Sequence, residues 1–501
     1  MSVIPIGSKS AMMVQSLVQM RTQLDDLTRQ LGTGQKSTTY AGLGLQRGLS
    51  VTLSSRLAAT KGYDDTITMV GTRLDLAQTT LSRMATLGQN TKTAVAAGKF
   101  DPDALGQTTA QKTAMNSLTE FLALLNTQVG DRYMFSGSAT DTPSVDTLDH
   151  ILNGNGGQDG LSAIIAQRQQ ADLGASGLGR LQLTAPTTTS VAIAEDSATS
   201  PFGFKLAGIS TSITGATVTA PAGSPKSMSI DLGTSNAAVG DTVRVGFTLP
   251  DGTNESITLT ATNANPPGAN QFTIGATPDD TAASINAALN SSIGQLAKTS
   301  LTAASAMAAS NDFFNADAAH PAQRVDGPPF DTATALRDAT AADTVSWYTG
   351  DAGSGSARDT AQASIDQSIS VSYGMRASEQ GIRNILQNLA VAAATTYSAS
   401  DPNAAAKNTA LQQRLTANLN VPQGVQSIQG IQAELAGAQS SLKAASDRHQ
   451  QTSSTLATLQ EQISGVSNEE VGSQILALQT RMQASLQVTA SLYKISLVNF
   501  I

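Results

Sequence analysis

LAGAQSSLKAASDRHQQTSSTLATLQEQISGV, residues 435–466, steps through Leu435, Ala438, Leu442, Ala445, His449, Thr452, Leu456, Leu459, Ile463 and Val466. Intervals of three and four alternate over four heptads, which is the a/d seam of a coiled coil and narrower than the stripe of a globular helix. His449 and Thr452 are polar interruptions of the seam, the kind that sets register. Downstream, SNEE (467–470) reads as an N-cap followed by acids in a first helical turn. It opens a last helix with Val471, Ile475, Leu478, Met482, Leu486, Tyr493 and Leu497 on one face, running into SLVNFI.

The same spacing returns at the other end of the chain. Met13, Leu17, Met20, Leu24, Leu27 and Leu31 alternate steps of four and three until GTGQ (32–35) stops the helix. A second run holds Tyr63, Ile67, Val70, Leu74, Ala77, Leu81 and Met84. A third holds Met115, Leu118, Leu122, Leu125 and Val129 and ends at Gly130.

Between roughly 180 and 345 the pattern changes. DTVRVGFTLPDGTNESITLTAT (241–262) alternates Val243, Val245, Phe247 and Leu249, turns at PDG, then alternates Ile257 and Leu259, which predicts a β-hairpin. KSMSIDLG, FGFKLAGIS and NQFTIGA read as short strands. Residues 277–297 read as one helix with Asp280 near its start and Ile285, Leu289, Ile293 and Leu296 on one face. AHPAQRVDGPPFD (319–331) reads as loop, and helical spacing resumes from about 358 through Ile365, Ile369, Ile382, Ile385, Leu386 and Leu389.

The expected fold class is mainly α with a β-rich insert: long N- and C-terminal helices form an antiparallel coiled-coil rod, with a variable β-containing domain at its tip. The expected divisions are an assembly helix at 1–47, the N-terminal half of the rod at 48–179 and the insert at 180–357. The C-terminal half of the rod follows at 358–466, and a second assembly helix at 467–501.

Composition removes several functions. Charged residues make up 14% of the 501-residue chain, against about 25% in an ordinary domain. Cysteine is absent, so disulfide scaffolds and thiolate metal sites are excluded. His150, His320 and His449 lie too far apart in sequence to suggest a metal cluster. A net charge of -8 argues against sequence-independent nucleic-acid binding. Apolar runs such as LAVAAA (389–394) fall short of the ~18 residues of a membrane span. MSVIPIGSKSAMMVQSL lacks the basic n-region and unbroken apolar core of a secretory signal, which leaves a cytoplasmic protein or export without a cleaved signal.

Motifs of catalytic type are weak. GLGLQRG (42–48) has glycines at pyrophosphate-loop spacing, but heptad helices flank it and no strand precedes it. In GTGQKST (32–38), Gln35 stands where a phosphate loop needs glycine before Lys36. Asp149–His150 has no nucleophile elbow to serve. Asp279–Asp280 and Glu469–Glu470 suit helix starts, and Asp231, Asp241 and Asp251 lack calcium-loop spacing. No catalytic, cofactor-binding or metal-ligating residue is expected, and an enzyme is the least favoured class.

GDRYMFSGSATDTPSV (130–145) is more specific. It reads as a helix end, an aromatic pair able to plug a core, and a turn closing at Pro143. With the chain ends it resembles the flagellin superfamily, and within it the hook–filament junction proteins (hook-associated protein 3), whose signature is Y-L-F-S-G…T-D-T-P. The matching residues are Tyr133, Phe135, Ser136, Gly137, Thr140, Asp141, Thr142 and Pro143, with Met134 in the leucine place. LTRQLGTGQK (27–36) is similar to the family's helix end in Leu27, Leu31, Gly34 and Lys36 and departs from it at Gly32. The ending Gln483–Ile501, with Leu497, Val498 and Phe500, is also of the family's type. The resemblance covers about 1–170 and 360–501.

What the resemblance implies is a structural subunit of the bacterial flagellum that joins hook to filament. It would be exported unfolded by the flagellar type III apparatus without a cleaved signal, and would self-assemble through its terminal helices. Partners would be copies of itself, other axial proteins (hook-associated proteins and flagellin) and an export chaperone, with no cofactor. The alternative within the family is a filament-forming flagellin, which the length favours. Outside it stands a secreted coiled-coil adhesin or a phage tail protein. The expected assembly residues are Leu17, Met20, Leu24, Leu27, Leu31, Leu74, Leu81, Leu456, Leu459, Ile463, Leu478, Met482, Leu497 and Phe500.

Overall fold

The structure is a computed structural model that describes residues 6–317, 319–420 and 424–498. About 52% of the chain is helical, so the mainly α class with small sheets holds. The helices are α1 (Ile6–Thr33), α2 (Arg47–Ala97), α3 (Thr109–Leu125), α4 (Leu148–Asn153), α5 (Leu161–Leu173), α6 (Pro278–Leu296), α7 (Thr302–Phe314), α8 (Gln380–Ala394), α9 (Ala404–Asn418), α10 (Ile428–Ser464) and α11 (Asn468–Val498). The strands are β1 (Leu181–Thr184), β2 (Ser190–Glu195), β3 (Lys205–Thr211), β4 (Thr217–Ala222), β5 (Ser227–Asp231) and β6 (Thr242–Thr248), then β7 (Asn254–Thr262), β8 (Gln271–Thr273), β9 (Gln323–Val325), β10 (Leu336–Asp338), β11 (Gln362–Asp366) and β12 (Ile369–Ser372). None of the described helices is long and apolar enough to cross a membrane.

Two compact units share the chain. The first comprises residues 1–72, 363–371 and 439–501; the second comprises 73–362 and 372–438. The divisions at 72 and 438 fall inside α2 and α10, away from the boundaries at 179 and 357 expected from composition, because a change of composition marks where strands begin and not where a core ends.

In the second unit, one antiparallel sheet has the order β1-β2-β5-β4 and another the order β3-β6-β7-β8, its last pair parallel. The β6–β7 hairpin forms as the alternation requires: Val243, Val245 and Phe247 point inward with no exposure, and Thr248 pairs with Asn254 across the turn. Gly252 at φ +81° supplies the left-handed residue that closes the turn. Helix α6 starts on a capping box in which Thr277 and Asp280 satisfy each other's backbone N–H groups, with Pro278 in the first turn. Its face of Ile285, Leu289 and Ile293 joins Phe247 and Phe272 of the strands, and Phe204 just before β3, in one core.

Helix α7 continues from α6 through a π-turn at Ala297–Leu301 and is buried nearly all round. Ala303, Ala304, Ala306 and Ala309 let α5, α8 and α9 approach it closely. Its alanines carry no amphipathic period, which is why spacing alone does not reveal it. In this unit α2 buries Leu74, Ala77, Leu81 and Met84 completely. The start of α10 buries Ile431 and Leu435, and Gln78 Nε2 donates to the Gln432 carbonyl at 2.9 Å.

In the first unit α1 packs against α11, and the early part of α2 against the late part of α10. Gln35 and Gly465 form an antiparallel bridge, with Lys36 N donating to Ser464 O at 2.7 Å and Val466 N to Gly34 O at 3.1 Å. Gly34 reverses the chain at φ +69°.

Four expectations fail here. Ile365 and Ile369 lie in the β11–β12 hairpin, not in a helix; a single 3-10 turn stands at Ala357–Thr360, and α-helix returns only at Gln380. Isoleucine favours strands as well as helices, and a spacing of four fits both faces of a short hairpin. The 319–331 stretch holds β9, which pairs with β10. The third helical run stops at Leu125, leaving Val129 outside it. In the insert, α6 and α7 stand beside the strands, so 180–357 is as much helix-packed as β-rich.

Candidate assembly site

The terminal seam is built from α1 and α11. Leu27, Val471 and Leu478 are buried together, with Met20, Leu24, Val466 and Ile475 against them; Leu17 and Met482 are half-buried. At the far end of the contact Thr489 Oγ1 lies 3.6 Å from Met13 Sδ. Leu31, expected in the seam, is 41% exposed. So is Leu486, at 52%: the inward positions after Met482 are Ser485 and Thr489. The eye picks the leucine, but the helix keeps its 3–4 step. The Leu497 side chain and Phe500 lie outside the described residues.

The second seam joins α2 and α10. Leu53, Leu456 and Ile463 are buried against Leu57, and Gln460 Nε2 donates to Ser50 Oγ at 2.7 Å. Leu459 is 41% exposed and Thr452 is exposed. Inward positions run 442, 445, 449, 453, 456, 460 and 463, so two consecutive steps of four fall at His449. Such a stutter shifts the seam by one residue, which expels Thr452 and Leu459 from it. Lys36, in the family-like helix end, donates through Nζ to the carbonyls of Gln462 and Ile463 at 3.3 and 3.0 Å. A cation on the last carbonyls of α10 complements that helix end.

Within the second unit, the 130–145 loop is a plug. Phe135 and Ser136 have no exposure, and Ser136 Oγ bonds Thr142 O at 2.7 Å and Ser144 Oγ at 2.8 Å. Ala377 N donates to Phe135 O, Gly137 N to Met375 O and Asp351 N to Ser136 O, all at 2.8–2.9 Å. Gly137 adopts φ +65°, and a Cβ there would stand 2.9 Å from Asp351 Cβ, so glycine is required twice over. Arg376 clamps the loop's partner, bonding Asp351 at 2.8 Å and the Gly355 carbonyl at 2.7 Å. The guanidinium, with the Gly353 amide, holds the Asp351 carboxyl down at about 2. Tyr133 is half-buried, while Asp141, Thr142 and Pro143 form an exposed turn. Asp351 and Arg376 escaped the sequence reading because their contacts to this loop span about two hundred residues, and no spacing rule joins them.

The remaining motifs have structural roles. GLGLQRG forms a 3-10 turn at Tyr40–Gln46 leading into α2. His150 pairs through Nδ1 with Asp146 at 2.9 Å, not with Asp149. Ser467 Oγ accepts from Glu470 N at 3.3 Å as the cap of α11. Among the described residues, no group of three or more acidic, histidine or cysteine side chains is placed to hold a metal ion.

What the terminal helices also carry is apolar surface facing out. On α1, Met12, Val14 and Val18 are 53–67% exposed; on α11, Leu476 is 66% and Val488 is 49% exposed. Where α2 begins, Leu45 is fully exposed and Leu49 is 54% exposed. No family model matches the chain, and no curated protein matches it.

Proposed function

We propose that this chain is a structural subunit of the bacterial flagellum that joins hook to filament, its terminal helices pairing antiparallel as a coiled-coil rod. The observation that carries the reading is the double character of those helices. Each has one inward seam and, beside it, exposed apolar side chains that a solitary subunit would leave in water. Neighbouring copies or other axial subunits would cover Val14, Val18, Leu476 and Val488. The pairs Met13–Thr489, Leu27–Val471 and Ser50–Gln460 favour antiparallel order. The flagellar assignment itself rests on the 130–145 motif and on the helix end at 27–36. In this reading the subunit leaves the cell unfolded through the flagellar export apparatus with a chaperone, and uses no cofactor and no catalytic residue.

A filament-forming flagellin is the second reading, favoured by the size of the two-sheet insert. Labelled subunits on isolated flagella separate the possibilities. A single band between hook and filament, with non-motile cells on deletion, supports the junction role. Dominance of the protein in purified filaments replaces that role with the flagellin reading. Unlabelled flagella and normal motility on deletion remove both, leaving an adhesin or a phage tail component.

A further inference from the structure

His449 stands at the stutter of the α2–α10 seam, 5% exposed, where a heptad would place an apolar side chain. Its Nδ1 lies 2.8 Å from Asp64 Oδ1 on α2. A carboxylate only accepts, so Nδ1 carries the proton, and in the neutral ring Nε2 is a bare lone pair. That Nε2 is buried without a hydrogen-bond partner and faces Asp366 Oδ2 at 3.7 Å, on the hairpin tip 363–371. Acceptor therefore faces acceptor at a buried ring nitrogen, although the Asp366 side chain is 33% exposed, an arrangement that costs free energy until a proton is added. The other groups facing the ring are the Tyr63 ring on α2, centroid 5.9 Å away, and Arg448 on α10, whose Nη2 is 3.4 Å from the same Asp366 oxygen. Asp366 Oδ1 is taken by the Gln367 amide at 2.8 Å, so Oδ2 is the oxygen left to answer Nε2.

We propose that His449 is a proton-operated latch, whose imidazolium bridges Asp64 on α2 to Asp366 on the hairpin tip and whose neutral form drops the second contact, leaving the tip held more weakly by Arg448 and the burial of Ile365. Asp366 meets the ring only while the tip is docked, so docking and proton uptake favour each other. Docking therefore strengthens when the ring takes up its second proton and weakens when it gives that proton up.

The test is hydrogen exchange on the full chain, corrected for intrinsic exchange chemistry, at about pH 8 and about pH 5.5. Amides of 363–371 should exchange about tenfold more slowly at the lower pH, the effect of one charge-assisted hydrogen bond. Asp366→Asn, at a partly exposed position outside the helix seam, should remove that pH response while circular dichroism stays unchanged. Ring nitrogen chemical shifts of His449 should show both nitrogens protonated at the lower pH. His150 and His320 belong to the second unit, where they pair with Asp146 and Asp317. Equal exchange at the two pH values overturns the latch, as does the wild-type response persisting in Asp366→Asn or a neutral His449 ring at the lower pH.

Discussion

Phe204, Phe247 and Phe272 from the β3-β6-β7-β8 side meet Val191, Ile193 and Ile230 of the other sheet in the core of the second unit, with α6 as a lid of isoleucine and leucine. In the first unit Leu27, Val471 and Leu478, or Leu53, Leu456 and Ile463, do comparable work with three buried side chains at a time. Every phenylalanine but Phe500 belongs to the second unit. One core is finished within the chain. The other is a pair of thin seams, flanked by Met12, Val14, Val18 and Leu476 in contact with water. The difference shows how one chain divides its labour: a large aromatic core fixes shape without neighbours, while thin seams hold helices together and keep apolar surface in reserve.

Substitutions break or sharpen this contrast in order of size. Phe247→Ala removes a ring with no exposure that lies 5.0 Å from Phe204, and should cost about 4 kcal/mol in denaturant unfolding of the second unit. Leu456→Asp buries an unpaired charge in the thinner seam and should cost about 3 kcal/mol, read as lost helicity and an earlier helical melt.

Asp312 sharpens the comparison from the other side, because the closed unit tolerates a strained charge. Burial pushes its carboxyl up to about 6, the Arg168 guanidinium at 3.5 Å opposes the rise and Asp172 adds to it. Its value in the fold lies above the ordinary 3.8, so the folded state binds more protons between those values and stability falls as pH rises from about 4 to about 6. Asp312→Asn should flatten that slope and stabilise the chain at neutral pH by on the order of 2 kcal/mol, measured by melts across the range.

Lys36→Ala should cost about 0.5 kcal/mol, the worth of an exposed cation on a helix C-terminus, visible as fraying of α10 in hydrogen exchange. Smallest of all for folding is the pair Leu476→Asp with Leu486→Asp, both exposed. Melting should stay within about 0.5 kcal/mol of wild type while sedimentation shows assembly abolished. Undiminished polymers from that double variant would show that the reserve surface has no partner.

The contrast also explains what could be read beforehand. The β6–β7 hairpin and α6 were legible because alternation, PDG and the Thr277–Asp280 cap are local signals. The long helices at the chain ends were legible from their apolar 3–4 spacing. Their fine register was not, since a fixed 3–4 rule continues through His449 where the helix takes an extra step of four and turns Leu459 outward. Helix α7 was hidden because a helix buried on every side has no period to detect. Of the motif loop, the buried Phe135 and the special glycine at 137 were foreseeable. The Asp351–Arg376 clamp that receives them depends on chain-distant contacts.

The bridge between Gln35 and Gly465 has a consequence for synthesis. A ribosome delivers α1 first, yet α1's inward residues have their partners on α11, more than four hundred positions later. While the residues between α1 and α11 are being made, Met20, Leu24 and Leu27 wait without a mate, whereas the two sheets of the second unit can close as soon as their own strands have emerged. The nascent chain thus carries an unpaired apolar face on α1 until α11 has been made. That interval is a matter of arithmetic on the chain, and anything that shields an apolar helix in the cell has its whole length in which to act.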